Sequence, residues 1–396
     1  MKEKFIILRL AKAVTRDLFL GGAVVRASKE EASAAGLTIE IEEINRNRIS
    51  AISRHADVVA IAPSIPMKLI QPVSTEDFAE PSAQEIAWGV KAVGADTSPF
   101  SGSGIVVAVL DTGIDAAHPA FAGMNIIQND FTGEGSGDQH GHGTHCAGTI
   151  FGRNVNNVRI GVAPGIEKAL IGKVLGENGG SSEQIVSAMQ WAVDSGANVI
   201  SMSLGMDFPG LVKQLVDSGY PTELATSRAL EGYRTNVQLF ERLVALIHAQ
   251  ANFLQTTVII AAAGNESERN TNPDFEIAVS PPAVSEGIIS VAALDEDPAG
   301  FKVASFSNTG ATISGPGVGI ISAKPGGGLV KMSGTSMATP HVAGVAALWA
   351  EKIKSVGILS PGHLTARLVG SGNSTQLVTG FDPFDTGAGL VQAPQL

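Results

Sequence analysis

The stretch that most constrains this 396-residue chain is Gly334 to Gly344, GTSMATPHVAG. It runs a turn of small residues into an apolar helix carried by Val342, Ala343, Val345, Ala346, Leu348 and Trp349. Ser336 therefore sits at the positive end of a helix dipole, among free backbone N–H groups and with little bulk around its hydroxyl. A nucleophile that must receive a carbonyl needs that setting, but so does an ordinary capping serine. Ser336 alone leaves the two readings level.

Two further segments separate them. GIVVAVLDTGID (Gly104 to Asp115) is an apolar, β-branched run that stops at Asp111, as a buried parallel strand does. Its carboxylate falls just past the strand's C-terminal end, where open α/β sheets bind their ligands. HGHGTHCAGT (His140 to Thr149) puts His142 at the start of another small-residue helix, where the dipole favours neutral imidazole.

With these segments in place, the sequence resembles the subtilases, the subtilisin-like serine proteases. The likeness is carried in order by DTGID, GHGTHCAGT, GVAPG (Gly161 to Gly165), KVLG (Lys173 to Gly176), SMSLG (Ser201 to Gly205), AAAGNE (Ala261 to Glu266) and GTSMATPHVAG. It begins near Trp88. The chain order Asp, His, Ser is the one known for subtilisin itself. The fold it implies is α/β, a doubly wound and mostly parallel sheet with helices on both faces.

The implied chemistry is an acyl-enzyme. Ser336 attacks a peptide carbonyl, His142 takes its proton and returns it to the leaving amine, and Asp111 holds the imidazole in one tautomer. The resemblance nominates the Asn265 side chain and the Ser336 backbone N–H as oxyanion donors. It also nominates two edges for an extended substrate, Ser203-Leu204-Gly205 and Gly179-Gly180-Ser181. A primary pocket lined by Ala262, Ala263 and Gly264, closed between Val279 and Pro282, implies uncharged, hydrophobic side chains before the cleaved bond. Asp274 and Glu276 lie near enough in sequence to bear on that preference.

Each residue has a plainer reading. Asp111 and Asn265 also suit turns beside Gly113 and Gly264. His140, His142 and His145 have a spacing compatible with zinc, but no matching cysteine or carboxylate set accompanies them, so no metal or other cofactor is expected. His145, His118 and His341 read as hydrogen-bonded scaffold. The lone cysteine, Cys146, excludes an internal disulfide and reads as packing beside His142; a cysteine nucleophile would compete with Ser336 for the same base. Where many subtilases clamp calcium, this chain has Ala120 and Val155, which offer no side-chain oxygen, so that site is expected to be missing.

Two segments fall outside the minimal pattern. Between SMSLG and AAAGNE an insertion of about residues 207–250 repeats apolar residues at helical spacing through Leu239, Phe240, Leu243, Val244 and Ile247. It reads as structural decoration, with gating of the cleft or reception of a partner as the other use. Residues 1 to about 75 form a small α+β unit with a strand from Phe5 to Leu10, another from Ile39 to Ile44 and a short helix around Arg48 to His55. A β-branched run, VVAIAPSIPMKLI, ends it. Pro72 to Glu85 follows as a polar linker into a peptidase unit, residues 76–396. The resemblance implies a propeptide-like role for the first unit, as inhibitor or chaperone. Met67 to Pro72 is then the tail expected in the cleft. A permanent accessory domain is the other reading.

A net charge of −11 argues against nucleic acid as a partner. No apolar run reaches the ~20 residues that span a bilayer, and Pro340, His341 and Glu351 interrupt the apolar stretch after Ser336. The N-terminus lacks the small-residue cleavage site of a secretory signal, so a cytoplasmic or non-classically exported protein is expected. The partner expected is a peptide or protein in extended conformation. A peptide ligase on the same triad and a non-catalytic binder on a protease scaffold are the competing functions. A nucleotide-binding α/β enzyme is a third, disfavoured because Gly102 and Gly104 precede their strand rather than follow it.

Overall fold

The computed structural model describes residues 2–10, 36–78, 81, 83–251 and 255–396. Its centre is an eight-stranded sheet built from the chain's most apolar runs. Across it lie Gly300–Val303, Ile288–Asp297, Val258–Ala262, Val199–Met202, Val106–Asp111, Lys168–Lys173 and Asn125–Asp130, in that order. Ile313–Pro316 pairs in parallel with Ile288–Asp297, and only Gly300–Val303 joins antiparallel. The order reverses beside Val106–Asp111: the chain first builds outwards to Asn125–Asp130, then returns to the other side with Val199–Met202. A sheet of this kind presents its binding crevice at such a reversal, past the strand ends. Asp111 ends the strand at that point.

Helices cover both faces. His142–Phe151 and Thr335–Val356 pack together on one face, in a core with Val107, Val109 and Ile260. Ser182–Asp194 and the second half of Thr222–Gln250 pack on the other, in a core with Ala108, Ile200 and Ile259. Alternation along each strand thus divides its apolar residues between two cores. No described helix is long and apolar enough to cross a membrane.

The helix that starts at Ser336 does not break at Pro340; it continues to Val356. Proline has no N–H for the carbonyl four residues back, which here is that of Ser336. That carbonyl is satisfied instead by Ser203 Oγ at 3.2 Å and Cys146 Sγ at 3.4 Å. The position usually destabilising for proline is used to tie three segments together.

The N-terminal residues form a three-stranded antiparallel sheet, Leu37–Asn45, Lys2–Leu10 and Val58–Pro63. The expected β-branched run divides after Pro63, and Pro66–Leu69 becomes a separate strand. One face of this sheet keeps its own small core of Phe5, Ile7, Ile44 and Ile52. The other places Ile6, Leu8 and Ala62 in the core that holds Ile185, Leu239 and Phe240. Burying an isoleucine or leucine stabilises by roughly 1.5–3 kcal/mol each, so this shared face holds the two parts together.

The insertion is a helical pair, Phe208–Asp217 and Thr222–Gln250. Its apolar stripe is buried as the spacing predicts, and its outer end meets the N-terminal sheet. Asn236 Nδ2 donates to the Pro63 carbonyl at 2.9 Å, Arg228 pairs with Glu3, and Arg46 pairs with Glu231 at 3.0 Å. The insertion's outer end thus contacts this chain's own N-terminal sheet.

Candidate active site

Asp111 and His142 meet because two backbones approach closely. A Cβ on Gly143 would fall 2.2 Å from the Gly113 carbonyl oxygen, and one on Gly113 would fall 2.2 Å from that of Gly137. Only glycine permits both contacts, which explains the small residues flanking each motif. His142 Nδ1 then donates to Asp111 Oδ1 at 2.7 Å, and the Thr112 backbone N–H donates to the same oxygen at 2.8 Å. Both side chains are fully buried. With the Nδ1 proton held by the carboxylate, a neutral His142 presents its lone pair at Nε2. Among the described residues Nε2 has no hydrogen-bond partner. Burial opposes the charged imidazole, but the adjacent Asp111 carboxylate outweighs it and holds the His142 pKa well above 6.5.

A residue that the motifs do not single out organises this corner. Asp138 Oδ1 accepts from Thr112 Oγ1, His140 N and Gly141 N, and Oδ2 accepts from Thr144 N and Thr144 Oγ1, all between 2.6 and 3.1 Å. Burial alone would raise its pKa; these donors reverse that and hold the carboxyl below its ordinary value. It ties the Asp111 turn to the first turn of the His142 helix. Its signal in the sequence was an acid four residues before His142 and six before a threonine. Asp138→Ala leaves five donors unpaired and is expected to cost about 3 kcal/mol, measured by denaturant unfolding. An unchanged midpoint would refute the role.

The other expected residues gather across the cleft. Asn265 Oδ1 accepts from the Thr335 N–H at 2.9 Å and from Thr335 Oγ1 at 2.8 Å. Both donors fix the carboxamide so that its NH2 faces the cleft, 2.9 Å from the Gln71 carbonyl oxygen. Ala262, Ala263 and Gly264 are buried, and Ser280 N donates to the Ala263 carbonyl at 3.1 Å, so the stretch from Val279 to Pro282 lies beside them.

The cleft is filled by the chain itself. Pro66–Leu69 is the middle strand of a small antiparallel sheet, between Gly180–Ser181 and Leu204–Met206. The partners are Ser181 with Pro66, Gly180 with Met67, Gly205 with Lys68 and Leu204 with Leu69. Gly179 lies against the Met67 carbonyl, and Ile70 N donates to the Ser203 carbonyl at 3.5 Å. Both nominated edges therefore hold one extended segment. Ile70 is only 2 % exposed, with Cγ1 3.6 Å from where a Cβ on Gly205 would stand.

The serine departs from expectation. Ser336 Oγ donates to the Ile70 carbonyl at 3.0 Å rather than to His142. Asn265 takes the next carbonyl along, that of Gln71. The two groups thus grip successive peptide units, an offset of one residue across the serine.

His145, His341 and His118 are tied into the scaffold by hydrogen bonds. His145 Nε2 lies 2.9 Å from the Ile320 carbonyl and His341 Nδ1 lies 2.8 Å from that of Met337. Burial pushes their pKa values down to about 3 and about 4. His118 accepts from Ala120 N at Nδ1 and therefore donates from Nε2 to Gly328 O. Cys146 is buried 3.8 Å from His142 Nδ1, and burial pushes its thiol pKa up. Asp111, His142 and Cys146 do bring donor atoms within 4.8 Å of one another. The Asp111–His142 hydrogen bond and the one-turn step from His142 to Cys146 on the same helix bring these atoms together.

A buried carboxylate–imidazole pair, a serine at a helix start and a carboxamide facing the same extended strand are the parts of a serine peptidase. The subtilase family model (Peptidase_S8) matches residues 102–385. The chain belongs to the subtilase family. M-protease of Shouchella clausii (strain KSM-K16) is 32% identical over 96% of this chain and 90% of its own length. Subtilisin Savinase of Lederbergia lenta is 35% identical over 74% of this chain and 95% of its own. Among solved structures, fervidolysin from Fervidobacterium pennivorans superposes with a TM-score of 0.67 at 23% identity. That match covers 99% of this chain, which spans 60% of the fervidolysin chain, and it supports the fold alone. This subtilase is accordingly a subtilisin-like serine endopeptidase. An alignment covering 96% of the chain also takes in most of the N-terminal sheet.

Proposed function

We propose that this subtilase hydrolyses peptide bonds through an acyl-enzyme on Ser336, with His142 as base and acid and Asp111 as its orienting carboxylate. Asn265 and the Ser336 N–H stabilise the oxyanion, and the N-terminal unit is its own cleft-bound inhibitor. One observation carries the reading: the strand Pro66–Leu69 lies between both cleft edges and delivers the Ile70 carbonyl to Ser336 Oγ. By the register of the unprimed side, Ile70–Gln71 is the bond offered for self-cleavage. The one-residue offset and Pro72 explain why the segment dwells there as an inhibitor. Attack needs the Ile70 carbonyl in the oxyanion site and the hydroxyl turned to His142 Nε2, so a shift must precede it. The test is mass spectrometry of the purified full chain over time. A new N-terminus at Gln71 is expected; a chain that stays whole, or is cut outside the cleft segment, contradicts the assignment.

The buried seat of Ile70 beside Gly205 supports a preference for uncharged residues before the cleaved bond. Peptide anilides ending in Leu or Phe should be hydrolysed at least ~100-fold faster than those ending in Asp, because a buried unpaired carboxylate costs several kcal/mol. Comparable kcat/KM values for the two would contradict the pocket.

The pH dependence follows from the raised His142 pKa. Only the neutral ring accepts the serine proton. The shift is upward, held by the Asp111 carboxylate against burial, so kcat/KM should climb with pH through an ionisation on the alkaline side of 6.5. A limiting ionisation below 6.5 would contradict it.

Asn265→Ala should lower kcat by about 10²–10³, the scale known for the oxyanion asparagine of subtilisin, with KM little changed. An equal loss carried by KM would assign Asn265 to ground-state binding instead. The protonated, buried Cys146 is no competitor for the base, since its hydrogen goes to the Ser336 carbonyl.

A further inference from the structure

The hairpin of Ile320–Ala323 and Leu329–Ser333 lies apart from the central sheet, and its outer edge carries a third strand, Ser74–Asp77. Ser333 faces Ser74, Met332 faces Thr75, Lys331 faces Glu76 and Val330 faces Asp77. These residues follow directly on the segment at the serine. Val73 N donates to the Ser333 carbonyl at 2.8 Å, and Ser74 Oγ lies 2.9 Å from Ser333 Oγ. Phe78 packs against the main core, with Lys331 Nζ 5.7 Å from its ring centre. Lys324 meets Asp77 at 3.2 Å. The sequence alone reads this stretch as a polar linker; in the structure it is a paired strand with an aromatic anchor.

Its place relative to the cleaved bond gives it a function. Ile70 and everything before it lie on one side, and Gln71 to Phe78 lie on the other, joined to the peptidase. Cutting Ile70–Gln71 removes the covalent hold on the N-terminal unit; once that unit leaves, the unprimed half of the cleft is open while Val73–Phe78 stays attached beside the primed half. A tethered strand of this kind competes at an effective concentration of about millimolar, without any new contact.

We propose that the outer edge of Leu329–Ser333 is a substrate-binding strand for the polypeptide from the third to the eighth residue beyond the scissile bond, and that Val73–Phe78 is its resident occupant. The substrate it fits is an extended segment with acidic residues facing Lys331 and Lys324 and an aromatic residue after them. Backbone pairing and the aromatic anchor supply most of the affinity. The lysines tune selection weakly, because Asp77 and Lys324 are both exposed and such pairs contribute little. This rests on the endopeptidase reading above.

The experiment compares the self-cleaved full chain with its Thr75→Pro form, proline being poorly accommodated in a paired strand. Two substrates are used: a peptide anilide, which has no residues beyond the bond, and an internally quenched peptide with eight residues beyond it, Glu and Asp at the sixth and seventh and Phe at the eighth. Thr75→Pro should lower KM for the quenched peptide on the order of tenfold and leave the anilide within about twofold. Lys324→Glu with Lys331→Glu should shift preference at the sixth and seventh positions from acidic to basic by about threefold. Equal effects on both substrates, or none on either, would overturn the proposal. Failure of both enzymes on the anilide would strike the endopeptidase reading instead.

A second measurement judges the edge without any cleavage. In the uncut Ser336→Ala chain, Thr75→Pro should speed amide exchange at Leu329–Ser333, and millimolar peptide Val-Ser-Thr-Glu-Asp-Phe should restore protection. Unrestored exchange would overturn the proposal.

Discussion

Ser336→Ala is expected to leave the chain at full mass in a preparation where the wild type is cut. Hydrolysis of an added peptide should fall by about 10⁶, the scale known for subtilisin itself. The reason lies in where the hydroxyl stands. Ser336 heads a buried helix and its Oγ is 3.0 Å from the carbonyl oxygen of the residue delivered by the cleft strand. Alanine removes that nucleophile while keeping every backbone donor around it. The fold should be untouched, since the only side-chain bond lost is to Ile70. Circular dichroism and the unfolding midpoint therefore serve as controls. The N-terminal unit should stay attached, making this variant the means to hold the uncut state. Cleavage at the wild-type rate would remove self-processing from the account.

Asp111→Asn is the second large effect, a loss in kcat of about 10⁴ with the geometry preserved. Asp111 Oδ1 accepts from both His142 Nδ1 and Thr112 N. An asparagine can keep one of those bonds with its oxygen, but its NH2 invites Nδ1 to become the acceptor. The ring would then carry its proton at Nε2, facing Ser336 with a donor where an acceptor is needed. Losing the carboxylate also removes the charge that raises the His142 pKa, and burial then lowers it. The residual activity should accordingly lose its alkaline rise. Activity within tenfold of wild type, or an unshifted pH profile, would show that Asp111 does not act through His142.

Much of the site was legible because its chemistry demands small, fixed motifs. DTGID and GHGTH pair through glycine contacts that no other residue permits, and the AAAGNE strand end leaves Asn265 where Thr335 can orient it. What was not legible depended on partners distant in sequence. Asp138 looks like one of several scattered loop acids until five donors from both motifs converge on it. The segment from Met67 to Pro72 was recognisable as a cleft tail, but the one-residue offset depends on which carbonyl each donor reaches. Ser-Thr-Glu-Asp has no strand pattern of its own; it pairs because the hairpin beside it supplies an edge. The insertion's helical stripe was plain from Leu239 to Ile247, while its contact with the N-terminal sheet rests on Arg228, Glu231 and Asn236, which periodicity does not single out. Pro340 marks a break in hydropathy yet not in the helix, since Ser203 and Cys146 satisfy the carbonyl it frees.

The most direct test of the central claim is the reaction of the self-cleaved enzyme with a fluorophosphonate, located by peptide mass spectrometry. One adduct on Ser336 is expected, forming at a rate that rises with pH and falls steeply in His142→Ala. Labelling at another residue, or an equal rate of labelling in His142→Ala, would contradict the account.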